Sequence, residues 1–381
     1  MASRAAARRL ILAGALRQSL RGRRHPPEQP RRILVAHHLL LGDTLMLTPL
    51  LAKLRAQYPG AEVVMTTPRA VLPLYAGAPY EVRARAFDPR DPDTVRALLA
   101  DPGYDLACVP GDNRHAWLAR ALGARWVVAF SGDRPAWKNA MCDELRPYPD
   151  QPMSWGDMVA TLVDGPAPAA YRAGDWPAPP CAPFEPPASP YVVLHLGASS
   201  GLKHWPPERW RLLAEALAAD GFTPVWSAGR GEEGLVARAD PEQRWPSLAG
   251  RLDLAQLWHL LAQARLLVCP DTGIAHLARL TQTPSLTLFG PGSAVICGPG
   301  RFWQHAPGLC LTQDPFPCRD QTLLFRRDIA WVRRCGRGAR ECAAPRCMDA
   351  LGLEAVLVAA RQLLAGPVLQ SAASLLSVPH T

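Results

Sequence analysis

Apolar residues fall into short unbroken runs separated by longer stretches at helical spacing, and the two alternate along most of the chain. The first run, Arg32-Ile-Leu-Val-Ala36, reads as a strand. Apolar side chains at successive positions are what a parallel strand covered on both faces requires. An apolar-periodic stretch then reaches Tyr58. Pro49 cannot sit deep in a regular helix, so either Thr48 caps the true start or the first turn is kinked there. Further strands are predicted over 62–66, 105–109 and 126–130, with helices over 95–99 and 117–122. Such alternation builds a parallel sheet with helices on both faces. Residues 165–190 are rich in Pro, Ala and Gly and have little periodicity, as a linker does. The pattern restarts with strands over 191–196, 223–227, 265–268 and 285–289 and helices over 208–219 and 254–262. A last helix over 353–364 has a broad apolar face able to pack back across the linker, and the residues after it read as frayed.

This pattern divides the chain into a basic extension (1–30), a first α/β domain (31–165), a Pro-rich linker (166–190), a second α/β domain ending in a Cys-rich segment (191–348), and a helix with a tail (349–381). A length of 381 residues accommodates two cores, and 48% hydrophobic with 20% charged residues is a soluble globular composition. The net charge of +9 is concentrated at the start: residues 1–32 hold nine Arg against one acid, Glu28, which leaves +8 there and about +1 for the remainder. A nucleic-acid groove is therefore not indicated. The apolar run over 10–16 is broken by Arg17 and is too short to span a bilayer. It reads as an Arg-rich amphipathic helix able to lie on an anionic cytoplasmic leaflet, or as a disordered basic tail. Ten Cys without a secretory signal argue against a disulfide framework. Cys310, Cys318, Cys335, Cys342 and Cys347 crowd one segment without a CxxC pair, so no zinc ribbon is spelled out. Reduced, partly buried thiols and a structural metal on four of the five both remain open.

Candidate chemistry lies where strands run into helices. After the run ending at Val268, the turn Asp271-Thr272-Gly273 opens a helix, whose free N–H groups and positive dipole end form an anion seat. His276 stands four residues after Thr272 on the same face. An ordinary connection with Asp271 as N-cap is the alternative. Gly42 and Asp43 follow the first strand, Lys203 follows the strand over 191–196, and Glu232, with Glu233 beside it, follows the Gly-rich turn at 228–231. Strand carboxyl ends are the ligand edge of an open α/β sheet. A nucleotide diphosphate suits the second domain: the helix end and Lys203 for the pyrophosphate, and a carboxylate for ribose hydroxyls. Asp43 is placed to take a proton from an incoming hydroxyl.

At these residues the sequence resembles glycosyltransferase family 9, the ADP-heptose:lipopolysaccharide heptosyltransferases. The matching pieces are Ile33-Leu-Val35 with Leu41-Gly-Asp43 and Thr48-Pro-Leu50, His195-Leu-Gly-Ala198 with Lys203-His-Trp-Pro206, Gly229-Arg-Gly-Glu232, Asp271-Thr-Gly273 with His276-Leu-Ala278, and Leu288-Phe-Gly-Pro291. The resemblance implies the GT-B fold, two Rossmann-like domains facing each other across a cleft. It also implies an inverting transfer, with no cofactor or metal, of a heptose from ADP-heptose to a lipopolysaccharide core hydroxyl, by a cytoplasmic protein peripheral on the inner membrane. Residue by residue, Asp43 looks like the general base beside Gly42, Lys203 the phosphate lysine and Glu232 the ribose ligand, with Glu233 the fallback. Asp271 looks placed for sugar hydroxyls, and Thr272, Gly273 and His276 for the diphosphate. His37 and His38 depart from the family, standing where Arg or Ser is common, and His195 reads as a core residue. Two other readings are a protein O-heptosyltransferase with a Cys-bound metal, for which some relatives carry Cys-ligated iron, and a nucleotide-sugar-binding envelope protein without turnover.

Overall fold

The computed structural model describes residues 2–19, 25–366 and 375–377. By its contacts the chain forms two units: unit 1 is Met1–Ala169, Asp175–Pro179 and Leu323–Trp331, and unit 2 is Ala170–Gly174, Pro180–Thr322 and Val332–Thr381.

Unit 1 holds α1 (Ala2–Ser19), β1 (Arg32–Val35), α2 (Leu41–Leu45), α3 (Thr48–Gln57), β2 (Glu62–Thr67), β3 (Val82–Ala86), α4 (Pro92–Leu99), β4 (Tyr104–Val109), α5 (His115–Ala121), β5 (Ala124–Phe130), β6 (Glu144–Arg146) and α6 (Trp155–Val159). Its six strands are parallel in the order β3-β2-β1-β4-β5-β6. Ile33, Leu34 and Val35 of β1 are fully buried, which is why this strand reads as one apolar run. The helix after it is two helices: α2 ends at Leu45, and α3 begins at Thr48 with Pro49 in its first turn, where no N–H is needed. α4 starts earlier than its periodicity predicts because Asp91 caps it, its carboxylate accepting from Asp93 N at 2.9 Å, with Pro92 at the first position.

Unit 2 holds β7 (Tyr191–His195), α7 (Pro207–Ala219), β8 (Thr223–Ser227), α8 (Glu233–Ala239), α9 (Leu254–Gln263), β9 (Leu266–Pro270), α10 (Gly273–Thr281), β10 (Ser285–Phe289), α11 (Ala294–Cys297) and β11 (Gly308–Thr312). The small pair β12 (Leu323–Leu324) and β13 (Arg327–Asp328) belongs to unit 1, and α12 (Arg346–Asp349), α13 (Leu353–Leu364) and β14 (Leu375–Ser377) return to unit 2. The second sheet is also parallel, in the order β14-β11-β10-β9-β7-β8. Gly221, at φ 91, closes α7, and a reciprocal pair of bonds between Asp253 and Gln256 opens α9.

Three features depart from the sequence-based expectations. The helix α13 packs within unit 2. Val356, Ala359, Ala360 and Leu363 are buried in unit 2's own core with Leu286, Leu309 and Leu217, and Arg361 pairs with Asp220 at 2.7 Å. The residues read as frayed, 367–374 and 378–381, lie outside the described residues. Within the linker, Trp176 is buried and donates to Leu74 O at 3.1 Å, while the Tyr171 hydroxyl donates to Leu280 O at 2.7 Å, so each unit holds one linker aromatic. The segment at 323–331 is drawn to unit 1 by Arg327. Its buried guanidinium donates to Ser131 O at 2.9 Å and Asn113 Oδ1 at 2.7 Å, and Phe325 packs on Trp155 at 4.8 Å.

The arginine-rich start folds as α1. Ala7 and Ala15 are buried in unit 1's core, and a Cβ at Gly14 would stand 3.0 Å from Ala121 Cβ, so α1 and α5 approach through small residues. Among the described residues no helix is long and apolar enough to cross a membrane.

Candidate active site at the carboxyl edges of the two sheets

In unit 2 the chain steps from β7 outward to β8 and then to β9 on β7's other side, so the loops after β7 and β9 diverge at a topological switch point. Open α/β sheets bind ligands there. The loop after β7 delivers Lys203, and the loop after β9 delivers Asp271, Thr272 and Gly273. The Lys203 ammonium donates to Asp271 Oδ2 at 2.7 Å and to Asp271 O at 2.9 Å. Asp271 is 6% exposed, which leaves its carboxylate dependent on that cation. An ammonium has three donors, and Asp271 takes two, so one is left for a ligand.

Because Asp271 is committed to Lys203, it does not cap the helix. The N-cap position is Thr272 in extended backbone (φ −142, ψ 167), and among the described residues its side chain makes no capping bond to α10. The first-turn N–H groups and the positive dipole end of this nine-residue helix are thus left for an incoming anion. Gly292 leaves room for the Asp271 carboxylate, which a Cβ there would meet.

His276 is buried one turn along, and its Nδ1 lies 2.9 Å from Arg279 Nη1. An arginine cannot accept, so Nδ1 is the acceptor and the neutral ring carries its proton on Nε2. Burial, then the Arg279 and Lys203 charges, hold this imidazole well below its ordinary range, so it stays a neutral donor. Arg279 is itself buried and donates to Cys297 O at 2.9 Å and Gly298 O at 3.2 Å. The sequence reading missed it, although its position three residues after His276 puts both on one helix face.

Glu232 ends the turn after β8. Its Oε1 accepts from Ala198 N at 3.1 Å and its Oε2 from Gly229 N at 2.8 Å, so it bridges the loops after β7 and β8. Glu233 is exposed and turns inward on its own loop, accepting from Gly231 N at 3.0 Å. Of the two carboxylates, Glu232 therefore lines the switch-point edge.

In unit 1 the corresponding switch lies between β1 and β4. Gly42 and Asp43 stand in the first turn of α2, five residues in length, rather than in an open loop, and both are half-buried. The preceding His37 is fully buried and not at a rim. Its backbone N donates to Thr66 Oγ1 at 2.9 Å and its Nδ1 accepts from Leu39 N at 3.2 Å. His38 is half-buried, edge-on to Phe87 at 5.8 Å. In unit 2, His195 is a core residue as expected, with Nδ1 3.0 Å from Ser227 Oγ.

Burial holds both His115 and His195 down to about 4. Each is neutral when folded but protonates near pH 6.5 when unfolded, so each favours the folded state above pH 6.5 and loses that contribution as pH falls towards 4. At about 1.4 kcal/mol per pH unit this is roughly 3 kcal/mol for each residue. Thermal melts will show a falling midpoint from pH 6.5 to 4, and His195→Asn, which removes one titrating ring, will reduce the fall. An unchanged slope in that variant removes His195 as a cause.

The cysteines are free thiols. Burial pushes Cys310 and Cys347 up to about 11, and so keeps them protonated. Among the described residues no group of three or more His, Cys, Asp or Glu is arranged to hold a metal ion.

A family model for glycosyltransferase family 9 (heptosyltransferase) matches residues 96–323. The chain is similar to lipopolysaccharide heptosyltransferase 1 of Pseudomonas aeruginosa, 32% identical over an alignment of 233 residues that covers 58% of this chain and 62% of the relative. The match thus spans less than two thirds of that relative's length. The fold is similar to an Escherichia coli ADP-heptose lipopolysaccharide heptosyltransferase II, with TM-score 0.63 at 20% identity over 88% of this chain and 98% of the other. It is also similar to an E. coli heptosyltransferase solved with ADP, with TM-score 0.57 at 20% identity over 70% and 90%. With two parallel α/β sheets and neighbours of this kind, the fold is GT-B. The match across residues 96–323, over half the chain, establishes that this protein belongs to glycosyltransferase family 9.

Proposed function

We propose that the protein is an inverting glycosyltransferase that moves a heptose from ADP-heptose to a hydroxyl of the lipopolysaccharide core, with no metal in the transfer step. The observation that carries this reading is the uncapped end of α10 with Lys203 held against it by Asp271. The similar proteins, lipopolysaccharide heptosyltransferases that include an ADP-heptose enzyme and one solved with ADP, support the choice of donor and acceptor.

In this reading unit 2 binds the donor. The α10 N–H groups at Thr272 and Gly273, the third Lys203 donor and His276 Nε2–H meet the diphosphate, and Glu232 accepts from ribose hydroxyls. Asp271 orients Lys203 and a sugar hydroxyl. Asp43 of unit 1, beside Gly42, takes the proton of the acceptor hydroxyl as its oxygen attacks the anomeric carbon. The bond to the β-phosphate oxygen breaks with its electron pair, ADP leaves, and configuration inverts. Donors already aimed at the departing phosphate stabilise the charge as it grows. A lipid-linked acceptor places the enzyme on the cytoplasmic face of an inner membrane. For a protein acceptor with a Cys-bound metal, Cys347 lies within electrostatic reach of Cys318, Cys335 and Cys342, but among the described residues no group of three is arranged to hold a metal ion. A binder without turnover has no use for a base on the other unit.

Gly197 gives a test of the ribose assignment. A Cβ there would collide with Glu232 Oε2, so Gly197→Ala forces that carboxylate out of its seat. ADP affinity is expected to fall roughly tenfold, on the order of one charged hydrogen bond, with the melting midpoint little changed. Equal affinity in calorimetry would remove Glu232 from the donor site. For the reaction itself, ADP-, UDP- and GDP-sugars are incubated with truncated lipopolysaccharide and nucleotide release is followed. Acceptor-dependent release from ADP-heptose is expected, and its absence with that donor overturns the proposal.

A further inference from the structure

Only some of the large apolar residues of α1 turn inward. A helix that packs by hydrophobic burial turns its large apolar residues inward. Here Ala7 and Ala15 are buried, Gly14 closes on Ala121, and Leu10 and Ile11, half-buried, pack against the same core. Leu12 and Leu16, one turn apart, are 44% and 57% exposed. Arg8, Arg9 and Arg17 are exposed around them, and among the described residues none is ion-paired. Beside the helix runs a groove lined by Arg9, Arg17, His25, Arg96 and Arg125, with no carboxylate among its lining residues.

We infer that α1 is the membrane-facing element of unit 1: its small-residue face fixes it to α5, and its outer face presents Leu12 and Leu16, flanked by Arg8, Arg9 and Arg17, to an anionic bilayer. Arginines alone would suit any polyanion. The leucines on the same face select among polyanions, because a lipid interface offers hydrocarbon for them to enter and a nucleic acid does not. Docking on α5 matters as much as the charge. A helix fixed to its own domain transmits a defined orientation to that domain, whereas a loose basic tail would only raise the local concentration. The element thus holds unit 1, which the function proposed above assigns to the lipid-linked acceptor, against the surface where that acceptor is anchored, and the inference rests on that reading for its purpose.

The test is co-sedimentation of the full chain with vesicles of phosphatidylcholine alone and with phosphatidylglycerol added. Binding is expected only to the anionic vesicles, weakened by added salt. Arg9→Glu with Arg17→Glu and, separately, Leu12→Asp with Leu16→Asp are each expected to reduce it by roughly tenfold or more. Val358→Asp, at a residue 61% exposed on α13, is the control and binds as the parent does. All five substituted positions are exposed or half-exposed, and matching melting midpoints show that each variant folds. No binding to anionic vesicles, or binding unaffected by either double variant, overturns the inference. Loss with the arginines but not the leucines, together with equal binding to a DNA duplex, overturns it in favour of a general polyanion surface. Nucleotide release with a detergent-dispersed truncated acceptor is measured alongside. Release that persists without vesicle binding sinks this inference and leaves the transferase reading intact, and vesicle binding without release does the opposite.

Discussion

Asp43→Asn is expected to lower heptose transfer by roughly 10²- to 10⁴-fold while ADP binding is unchanged. The substitution keeps the shape of the side chain in the first turn of α2, half-buried at the carboxyl edge of the first sheet, and removes its capacity to take a proton. Binding is retained because every group proposed for the diphosphate lies in unit 2. Single-turnover release of ADP from ADP-heptose measures the first quantity, and calorimetry measures the second. Transfer at the parent rate removes Asp43 as the base. Loss of ADP affinity together with transfer gives Asp43 a structural role instead.

Lys203→Met has the second large effect, and it acts on binding. Methionine fills the space of the aliphatic stem but leaves Asp271, 6% exposed, without the ammonium that now contacts both its carboxylate and its carbonyl. Breaking a buried pair from one side costs about 3–5 kcal/mol, and part of that is recovered because the site opens to water once its ligand is absent. ADP affinity is expected to fall roughly 100-fold, since the same step removes a donor to the phosphate and leaves an anion beside it. Lys203→Met with Asp271→Asn, which removes the stranded charge as well, is expected to restore part of the loss. An identical deficit in the double variant shows that the two residues do not act as a pair.

How much of this was legible beforehand follows from burial. β1, β7, β9 and β10 lie inside their sheets and are covered on both faces, so each leaves an unbroken apolar run. In the first sheet the edge strands carry no such mark. β3 is Val-Arg-Ala-Arg-Ala and pairs on one side only, and β6 is three residues long, so neither was read from the pattern. α8 was hidden behind the Gly-rich turn that precedes it, whose acidic residues drew attention as ligands rather than as the start of a helix. The positions of the site residues in the chain were readable because each follows a strand carboxyl end. Their pairing was not: Lys203 and Asp271 are 68 residues apart, and only the sheet order brings them together. The attachment of 323–331 to unit 1 depends on Arg327 reaching Ser131 and Asn113, for which no local sequence signal exists. The apolar run at the start was visible, but which side of α1 turns inward is decided by Ala121 on α5, not by the run itself.

The account depends most directly on the α10 end being a seat for a diphosphate. Calorimetric titration of the unmodified protein with ADP and with AMP isolates that seat, because the two ligands differ only in the phosphate that would meet the helix N–H groups, Lys203 and His276. ADP is expected to bind at least about tenfold more tightly than AMP, the contribution of one charge-assisted contact at a helix end. Equal affinities for the two, or no binding of either, would contradict it.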